Sequence, residues 1–251
     1  MHPVKSLWQQ HHPSLGYPTG VVPVPSPISG VAFFPGGYGL WGATAGSPLP
    51  TFPVGGVMVL GHDFHSETGY DKSYLSGSER LTTPTWRNIL ALLKEVELEP
   101  TRCFFTNFYM GLRAGSKSTG KFPRASDPRF GGFVGHCKDF LLQQFKCQKP
   151  SLVLTLGVEV PFLLGDMSPE LAKWASKLGI IHLDSVGPVQ FNVTFEGLDE
   201  FKTSVVALIH PSMRNSNLKH RRYCGVIGHD AELAMLRDGL KAAAHSQPKL
   251  L

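Results

Sequence analysis

Four short apolar runs are the first regular feature of the chain. Each is four to six residues long and rich in β-branched or aromatic side chains, and together they comprise Gly56–Leu60, Cys103–Thr106, Leu152–Leu156 and Ser204–Ile209. Continuous apolar runs of this length are typical of strands that are buried on both faces of a parallel sheet. The pattern therefore predicts a central parallel sheet of about four strands.

Apolar residues at three- and four-residue spacing predict helices between and after these runs. The segments with this spacing are residues 86–96, 133–145 and 231–243. Strands that alternate with helices indicate a sheet covered by helices on both faces. We therefore predict a three-layer α/β/α sandwich that occupies residues 55–251.

Residues 1–54 differ from the rest because Pro, Gly and Ser are dense there. Proline lacks an amide donor and fixes φ, so long helices are not expected in this segment. Aromatic residues between positions 33 and 41 suggest that part of the segment packs onto the body of the protein. We predict an irregular N-terminal arm ahead of the α/β domain.

Polar residues follow three of the four apolar runs. Ligands of an open parallel sheet bind in the crevice beyond the carboxyl ends of its strands. Gly61–His65 follows the first run, Asn107 the second, and His210–Ser212 the last. We expect the functional site at this edge of the sheet.

Two of these residues are candidates for chemistry. A hydrogen bond from His210 could stabilise an anionic leaving group, although a polar turn with a capped Ser explains the same residues. Asp63 could orient or deprotonate an attacking water. His62 and His65 could bind a metal together with Asp63, but no further His or Cys lies near them in the sequence, so we predict no metal site.

The formal charge of +5 favours a polyanionic partner. One basic cluster, residues 214–222, lies late in the chain, and a second spans residues 113–129. The second contains Gly115–Lys121, which matches the phosphate-binding pattern GxxxxGK. Phe122 and Pro123 follow it in place of the required Ser or Thr, so the segment is either a basic loop along a nucleic-acid backbone or a plain solvated loop.

Several classes of protein are disfavoured by the composition. No run approaches the roughly 20 apolar residues of a membrane span, and no secretory signal is apparent. The four cysteines show no CxxC spacing, so we expect free thiols, no zinc, no iron–sulfur cluster and no other cofactor. We expect a monomer in a reducing compartment, the cytoplasm of a bacterium or the nucleus of a eukaryote.

These motifs, in this order, resemble the uracil-DNA glycosylase superfamily across residues 55–223. Gly61-His62-Asp63 is similar to the first motif of its common members, and Thr83–Leu90 is similar to the Pro-Ser-Leu-x-Asn-Ile segment that follows it there. His210-Pro211-Ser212, with Arg214-Asn215 after it, looks most like the single-strand-selective monofunctional branch. At Phe64-His65-Ser66 the chain departs from the Pro-Tyr-His of the common enzymes.

The resemblance implies a monofunctional DNA glycosylase that flips uracil or a related damaged base out of DNA and hydrolyses its N-glycosidic bond. Asp63 would position water, His210 would stabilise the departing base, and Asn107 would read its edge. Other residues implied to line the substrate are Gly61, His62, Phe64, His65 and Ser212. Those implied to contact DNA are Arg214, Asn215, Lys219, Arg221 and Arg222.

Two alternatives stay open at this point. The residue at the wedge position, Arg214, either fills the stack that the flipped base leaves or contacts phosphates. The chain as a whole is either an enzyme of this superfamily or a member repurposed to bind DNA or a protein partner. An unrelated α/β hydrolase or nucleotide enzyme is a third class.

Overall fold

The computed structural model describes residues 1–11, 16–118, 122, 131–198 and 201–246. The strands, in chain order, are β1 (Val21–Val22), β2 (Val57–Gly61), β3 (Cys103–Asn107), β4 (Leu112–Arg113), β5 (Leu152–Leu156), β6 (Val189–Val193), β7 (Thr203–Leu208), β8 (Arg222–Tyr223) and β9 (Val226–Ile227). The α-helices are α1 (Pro3–Gln10), α2 (Glu67–Leu75), α3 (Pro84–Glu95), α4 (Gly131–Gln148), α5 (Glu159–Gly165), α6 (Ile180–Val186), α7 (Arg214–Asn217) and α8 (Gly228–Ser246). Four 3₁₀ helices span Pro100–Arg102, Pro169–Ser176, Pro211–Met213 and Leu218–His220.

The central sheet has five strands in the order β3-β2-β5-β7-β6 and is mostly parallel. β5 pairs in parallel with both β2 and β7, whereas β6 runs antiparallel to β7. The four predicted strands are confirmed as β2, β3, β5 and β7, with ends that shift by at most one residue. The fold is therefore of the predicted α/β class, with a central sheet of the kind that a three-layer α/β/α sandwich has.

The fifth strand, β6, was missed by the sequence analysis. Its sequence is Val-Gln-Phe-Asn-Val, and only the two valines at its ends are buried. Asn192 within it has a positive φ of 53°, and the pairing with β7 is irregular between Gln190 and Val193. A partly exposed, bulged edge strand has no continuous apolar run, so the pattern that revealed the other strands is absent.

The three predicted helices are confirmed as α3, α4 and α8. Pro84 lies in the first turn of α3, where its missing amide hydrogen costs nothing. The apolar stripe of α3 is buried through Trp86, Ile89, Leu92 and Leu93. The shorter helices α1, α2, α5, α6 and α7 were not predicted, because their few turns carry too little periodicity to stand out.

The described chain divides into two compact units. The first comprises Met1–Phe52, Gly61–Arg80 and Phe104–Gln148, so it contains the arm except for its last two residues. Phe34 in the arm is fully buried, stacks on Phe140 of α4 at 6.0 Å between ring centroids, and lies 6.1 Å from Phe104 of β3. The prediction that the arm packs onto the body is confirmed, since these aromatic contacts fix part of an otherwise irregular segment.

The second unit comprises Pro53–Leu60, Leu81–Cys103 and Lys149–Leu251. Every residue of β5 and β7 is buried, and α8 packs against both strands. Gly239 permits this close packing, because a Cβ atom there would lie 2.7 Å from Cγ2 of Val206 and 3.0 Å from Cδ1 of Leu152. This unit supplies the strand ends that are described next.

Across the described ranges, no helix combines the length and the apolar character that crossing a membrane requires.

Candidate functional site

The last strand of the central sheet in chain order, β7, delivers His210 to a sharp turn. β7 ends at Leu208, and His210 caps the 3₁₀ helix Pro211–Met213. The backbone amide of Ser212 donates a hydrogen bond to Nδ1 of His210 at 3.3 Å, and the Ser212 hydroxyl lies 2.8 Å from the same nitrogen. Because Nδ1 accepts these bonds, a neutral imidazole carries its proton on Nε2 and can donate from there.

His210 lines a cleft of about 750 Å³ that lies wholly within the second unit. The cleft opens past the carboxyl ends of β5 and β7, because Gly157 and Ile209 also line it. This is where the sequence analysis placed the ligand crevice of the sheet. The volume falls in the range of roughly 300–1,000 Å³ that is usual for ligand pockets.

The lining of this cleft combines basic and apolar side chains. Lys177, His182 and His220 join His210 on its walls, and none of the described residues that line it is an Asp or Glu. The apolar part comprises Val158, Leu178, Ile180, Ile181, Ile209 and Met213. Such a surface favours a ligand that carries negative charge next to a flat apolar portion.

Gly157 makes room for His210. It follows β5 with a positive φ of 88°, a conformation that favours glycine. A Cβ atom at this position would lie 3.3 Å from the Cβ atom of His210, which is tighter than ordinary van der Waals contact. The glycine therefore lets the two strand ends approach closely where the cleft begins.

Two of the arginines that were expected at a DNA surface are buried instead. Arg214 is 8% exposed and pairs with Glu232, while its Nη2 donates to Nδ1 of His229 at 2.9 Å. Arg221 is fully buried, lies 3.2 Å from Asp184, and donates to the carbonyl of Ala207 at 2.7 Å. Burial lowers the pKa of Arg221 to about 10, although Asp184 counteracts this, so the guanidinium stays charged.

The expectation that Arg214 and Arg221 are surface residues is thereby corrected. Their charges are met by carboxylates on α8 and α6, which lie far from them in sequence. The other residues predicted to contact DNA, together with Ser212, are exposed: Asn215, Lys219 and Arg222. Of the second basic cluster, Lys121, Arg124 and Arg129 lie outside the described residues.

The first unit holds Asp63 in an ion pair. Arg113 grips the carboxylate with two nitrogens, Nε at 2.8 Å and Nη2 at 2.9 Å, and Nδ1 of His62 donates to it at 2.6 Å. Burial alone would raise the pKa of Asp63, but the hydrogen bonds and charges of His62 and Arg113 lower it to about 2. Asp63 is therefore ionised throughout the physiological pH range.

An aromatic cluster surrounds this ion pair. The Arg113 guanidinium lies 4.8 Å from the ring centroid of Phe122, and the His62 ring meets the edges of Tyr109 and Phe122 at 5.0 and 5.8 Å. These contacts hold the guanidinium and the imidazole in place. Arg113 was recognised in the sequence only as part of a basic cluster, since nothing in its neighbourhood signals a partner 50 residues earlier.

Phe64 and His65 are packed within the first unit. The Phe64 ring lies so close to Gly36 that any Cβ atom there would overlap with it. Nδ1 of His65 accepts a hydrogen bond from the Ser66 amide at 2.8 Å, and burial lowers the pKa of His65. Tyr70, which follows on α2, is buried and donates to the carbonyl of Ser26 at 2.6 Å.

Asn107 is buried at the end of β3 in the first unit. Its Nδ2 donates to the backbone carbonyl of Phe34 at 3.0 Å, so this donor already has a partner in the arm. Gly61 is required beside it, because a Cβ atom there would lie 2.4 Å from Oδ1 of Asn107.

No three His, Cys, Asp or Glu side chains are grouped in a way that could hold a metal ion within the part of the chain that the structure describes. In comparisons with known proteins, no protein-family model matches this chain, and no curated protein is significantly similar to it.

Proposed function

We propose that this protein is a monofunctional DNA glycosylase that hydrolyses the N-glycosidic bond of uracil or a related damaged base. The observation that carries the proposal is the position of His210 on the wall of a basic cleft at the carboxyl edge of the sheet. The resemblance of the strand-end motifs to the uracil-DNA glycosylase superfamily names the reaction. The structure of the cleft is compatible with its chemistry.

The departing base is an anion, and the cleft suits an anion. His210 offers a hydrogen bond from Nε2 because Nδ1 accepts from Ser212. A donor aimed at developing charge typically contributes about 10²–10³-fold in rate. Because no carboxylate lines the cleft among the described residues, nothing there opposes a negative leaving group.

The apolar part of the cleft suits the flat face of a base. Ile181 and Met213 are 73% and 51% exposed, so the cleft presents apolar surface to a ligand. A base extruded from the stack gains van der Waals contact with such side chains. In this proposal Ile181 contacts the base, whereas the exposed side chain of Met213, three residues after His210, enters the stack, which was one of the two roles left open for Arg214.

Exposed cations near the cleft suit the phosphates of DNA. Lys177 and His220 line it, and Lys219 and Arg222 are exposed beside His220 in the chain. Contacts of this kind bind DNA without regard to sequence and weaken as salt is added. In this proposal they position the strand, and the cleft receives the damaged base.

For Asp63 the resemblance assigns the positioning of the attacking water. Its carboxylate is ionised, which suits the acceptance of a hydrogen bond from water and the stabilisation of positive charge on the sugar. A carboxylate with a pKa of about 2 is, however, a poor acceptor for a whole proton. We therefore propose that Asp63 orients water and does not act as a strong base.

A second function, DNA binding without catalysis, is favoured by the same ion pair. Arg113 occupies both oxygens of Asp63, and the Nδ2 donor of Asn107 is taken up by Phe34. If these hydrogen bonds persist when DNA is bound, Asp63 and Asn107 stabilise the fold and do not contact the substrate. The chain would then bind nucleic acid through its basic surface alone.

Incubation of the protein with single-stranded oligonucleotides that contain uracil, hypoxanthine or an oxidised pyrimidine tests the proposal. Alkaline cleavage at abasic sites, followed by gel electrophoresis, reports base release. We expect cleavage at one of these bases with wild type, and a loss of at least about 100-fold with His210→Ala. Absence of cleavage, together with salt-dependent binding of the same oligonucleotides, would establish the binding function instead.

A further inference from the structure

We infer that Glu232 is a positioning residue for His210 and that Arg214 serves it as the partner of its charge. The inference rests on the proposed function, in which His210 donates a hydrogen bond to the departing base. It gives roles to a buried carboxylate and a buried guanidinium that the proposed reaction does not itself use.

Glu232 bonds directly to the residue before His210. Its Oε1 accepts a hydrogen bond from the backbone amide of Ile209 at 2.7 Å, and the side chain is completely buried. β7 ends at Leu208, so the Ile209 amide lies just past the strand. The orientation of this peptide sets the direction in which the chain presents His210.

Arg214 holds the other oxygen of the same carboxylate. Its Nη1 pairs with Oε2 of Glu232, and its Nη2 donates to Nδ1 of His229 at 2.9 Å. Nε2 of His229 in turn donates to Glu95 at 2.7 Å, at the end of α3. This chain of hydrogen bonds fixes the rotamers of Glu232 and Arg214, because each group has a partner on both sides.

The residue after His210 is held as well. Nδ2 of Asn88, on α3, donates to the backbone carbonyl of Pro211 at 2.7 Å. His210 therefore lies between two peptides that buried or half-buried side chains of α8 and α3 fix in place. A catalytic group gains from being held in this manner, since a displacement of about 1 Å can cost about 100-fold in rate.

Burying a carboxylate costs more free energy through desolvation than one hydrogen bond to an amide returns. Burial of an ion pair seldom stabilises a protein more than well-packed apolar residues of the same volume do. Glu232 lies on the buried face of α8, where Met235 and Leu236 follow one turn later. Its placement is explained by the charge-assisted bond to Ile209, which is shorter and more directional than a neutral one.

The decisive variant replaces the whole ion pair, Glu232→Leu with Arg214→Met, because no buried charge is then left unpaired. Glu232→Gln is the conservative companion, since its amide oxygen can still accept from Ile209. Asp238→Asn is the matched control, a carboxylate-to-amide change on the exposed part of the same helix. Each is assayed for thermal unfolding, for kcat and KM of base release from a uracil oligonucleotide, and for the NMR signals of the His210 ring nitrogens.

We expect the double variant to fold, to lose about 10- to 100-fold in kcat with little change in KM, and to shift the His210 signals. Glu232→Gln should retain more of kcat than the double variant at equal folded fraction, even if it unfolds at a lower temperature. Asp238→Asn should behave as wild type. A double variant with wild-type kcat and unshifted His210 signals would overturn the inference.

The two hypotheses fail in different ways. If wild type releases no base, the proposed function fails, while the His210 signals still test whether Glu232 positions the ring. If wild type is active and the double variant cannot be folded, Glu232→Gln decides. If Glu232→Gln keeps the wild-type His210 signals and loses no more kcat than Asp238→Asn does, the hydrogen bond to Ile209 is the contact that matters. If the His210 signals of Glu232→Gln shift although its amide oxygen can still accept from Ile209, the inference is contradicted.

Discussion

Asp63→Asn should make the free energy of unfolding fall less steeply as the pH is lowered into the acid range. The folded protein holds the pKa of Asp63 at about 2, against 3.8 for an unperturbed aspartate. Between these values the unfolded chain binds more protons than the folded one, so the contribution of this group is present above pH 4 and is lost as the pH falls to 2. At 1.36 kcal/mol for each pH unit, the contribution amounts to roughly 2 kcal/mol.

Urea unfolding of wild type and variant at several pH values between 7 and 2 measures this contribution. All other carboxylates are common to both proteins, so they cancel in the difference between the two curves. The free energy of unfolding of wild type should fall by about 2 kcal/mol more than that of the variant. Arg113→Met should reduce this pH-dependent loss of the free energy of unfolding only in part, because His62 still donates to the carboxylate.

Parallel curves for wild type and Asp63→Asn would refute this reasoning. They would mean that the ion pair with Arg113 leaves the pKa of Asp63 where it is in the unfolded chain. Arg113 and His62 would then not stabilise the ionised carboxylate of Asp63 in the folded protein.

Three further predictions concern the second unit. Arg214→Ala should destabilise the protein by about 3–5 kcal/mol in chemical unfolding, since it leaves the buried Glu232 without its partner, and a loss within 1 kcal/mol would contradict the ion pair. Lys219→Ala should reduce the salt dependence of DNA binding by about one unit of slope, measured by anisotropy, and an unchanged slope would exclude a phosphate contact. Gly157→Ala should cost about 1–2 kcal/mol of stability because of its positive φ, and should also slow base release by crowding His210, whereas wild-type values for both would contradict that geometry.

The strands could be predicted because each is buried on both faces. A run such as Leu152–Leu156 is apolar except for Thr155, so its sequence alone indicates burial on both faces. The edge strand Val189–Val193 is buried only at its two ends, so nothing in its sequence distinguishes it from a loop. The turn at His210 was predicted for the same reason as the strands, since Pro211 ends a buried run.

The partners of the charged residues could not be predicted in this way. Arg214 and Arg221 lie in a basic segment that is typical of a nucleic-acid surface, yet each is buried against a carboxylate from another helix. The pairing depends on tertiary contacts over 18 and 37 residues of sequence. One signal was present: Glu232 stands on the apolar face of a helix, and a buried carboxylate requires a buried cation.

The most direct test of the proposed function is the single-turnover rate of base release from a uracil-containing oligonucleotide, measured with excess enzyme for wild type and His210→Ala. Excess enzyme removes the effects of product release and of weak binding, so the rate reports the cleavage step. We expect wild type to release uracil and the variant, folded as judged by circular dichroism, to do so at least about 100-fold more slowly. Equal rates for the two proteins, or no release by wild type, would contradict the assignment of the cleft as the active site.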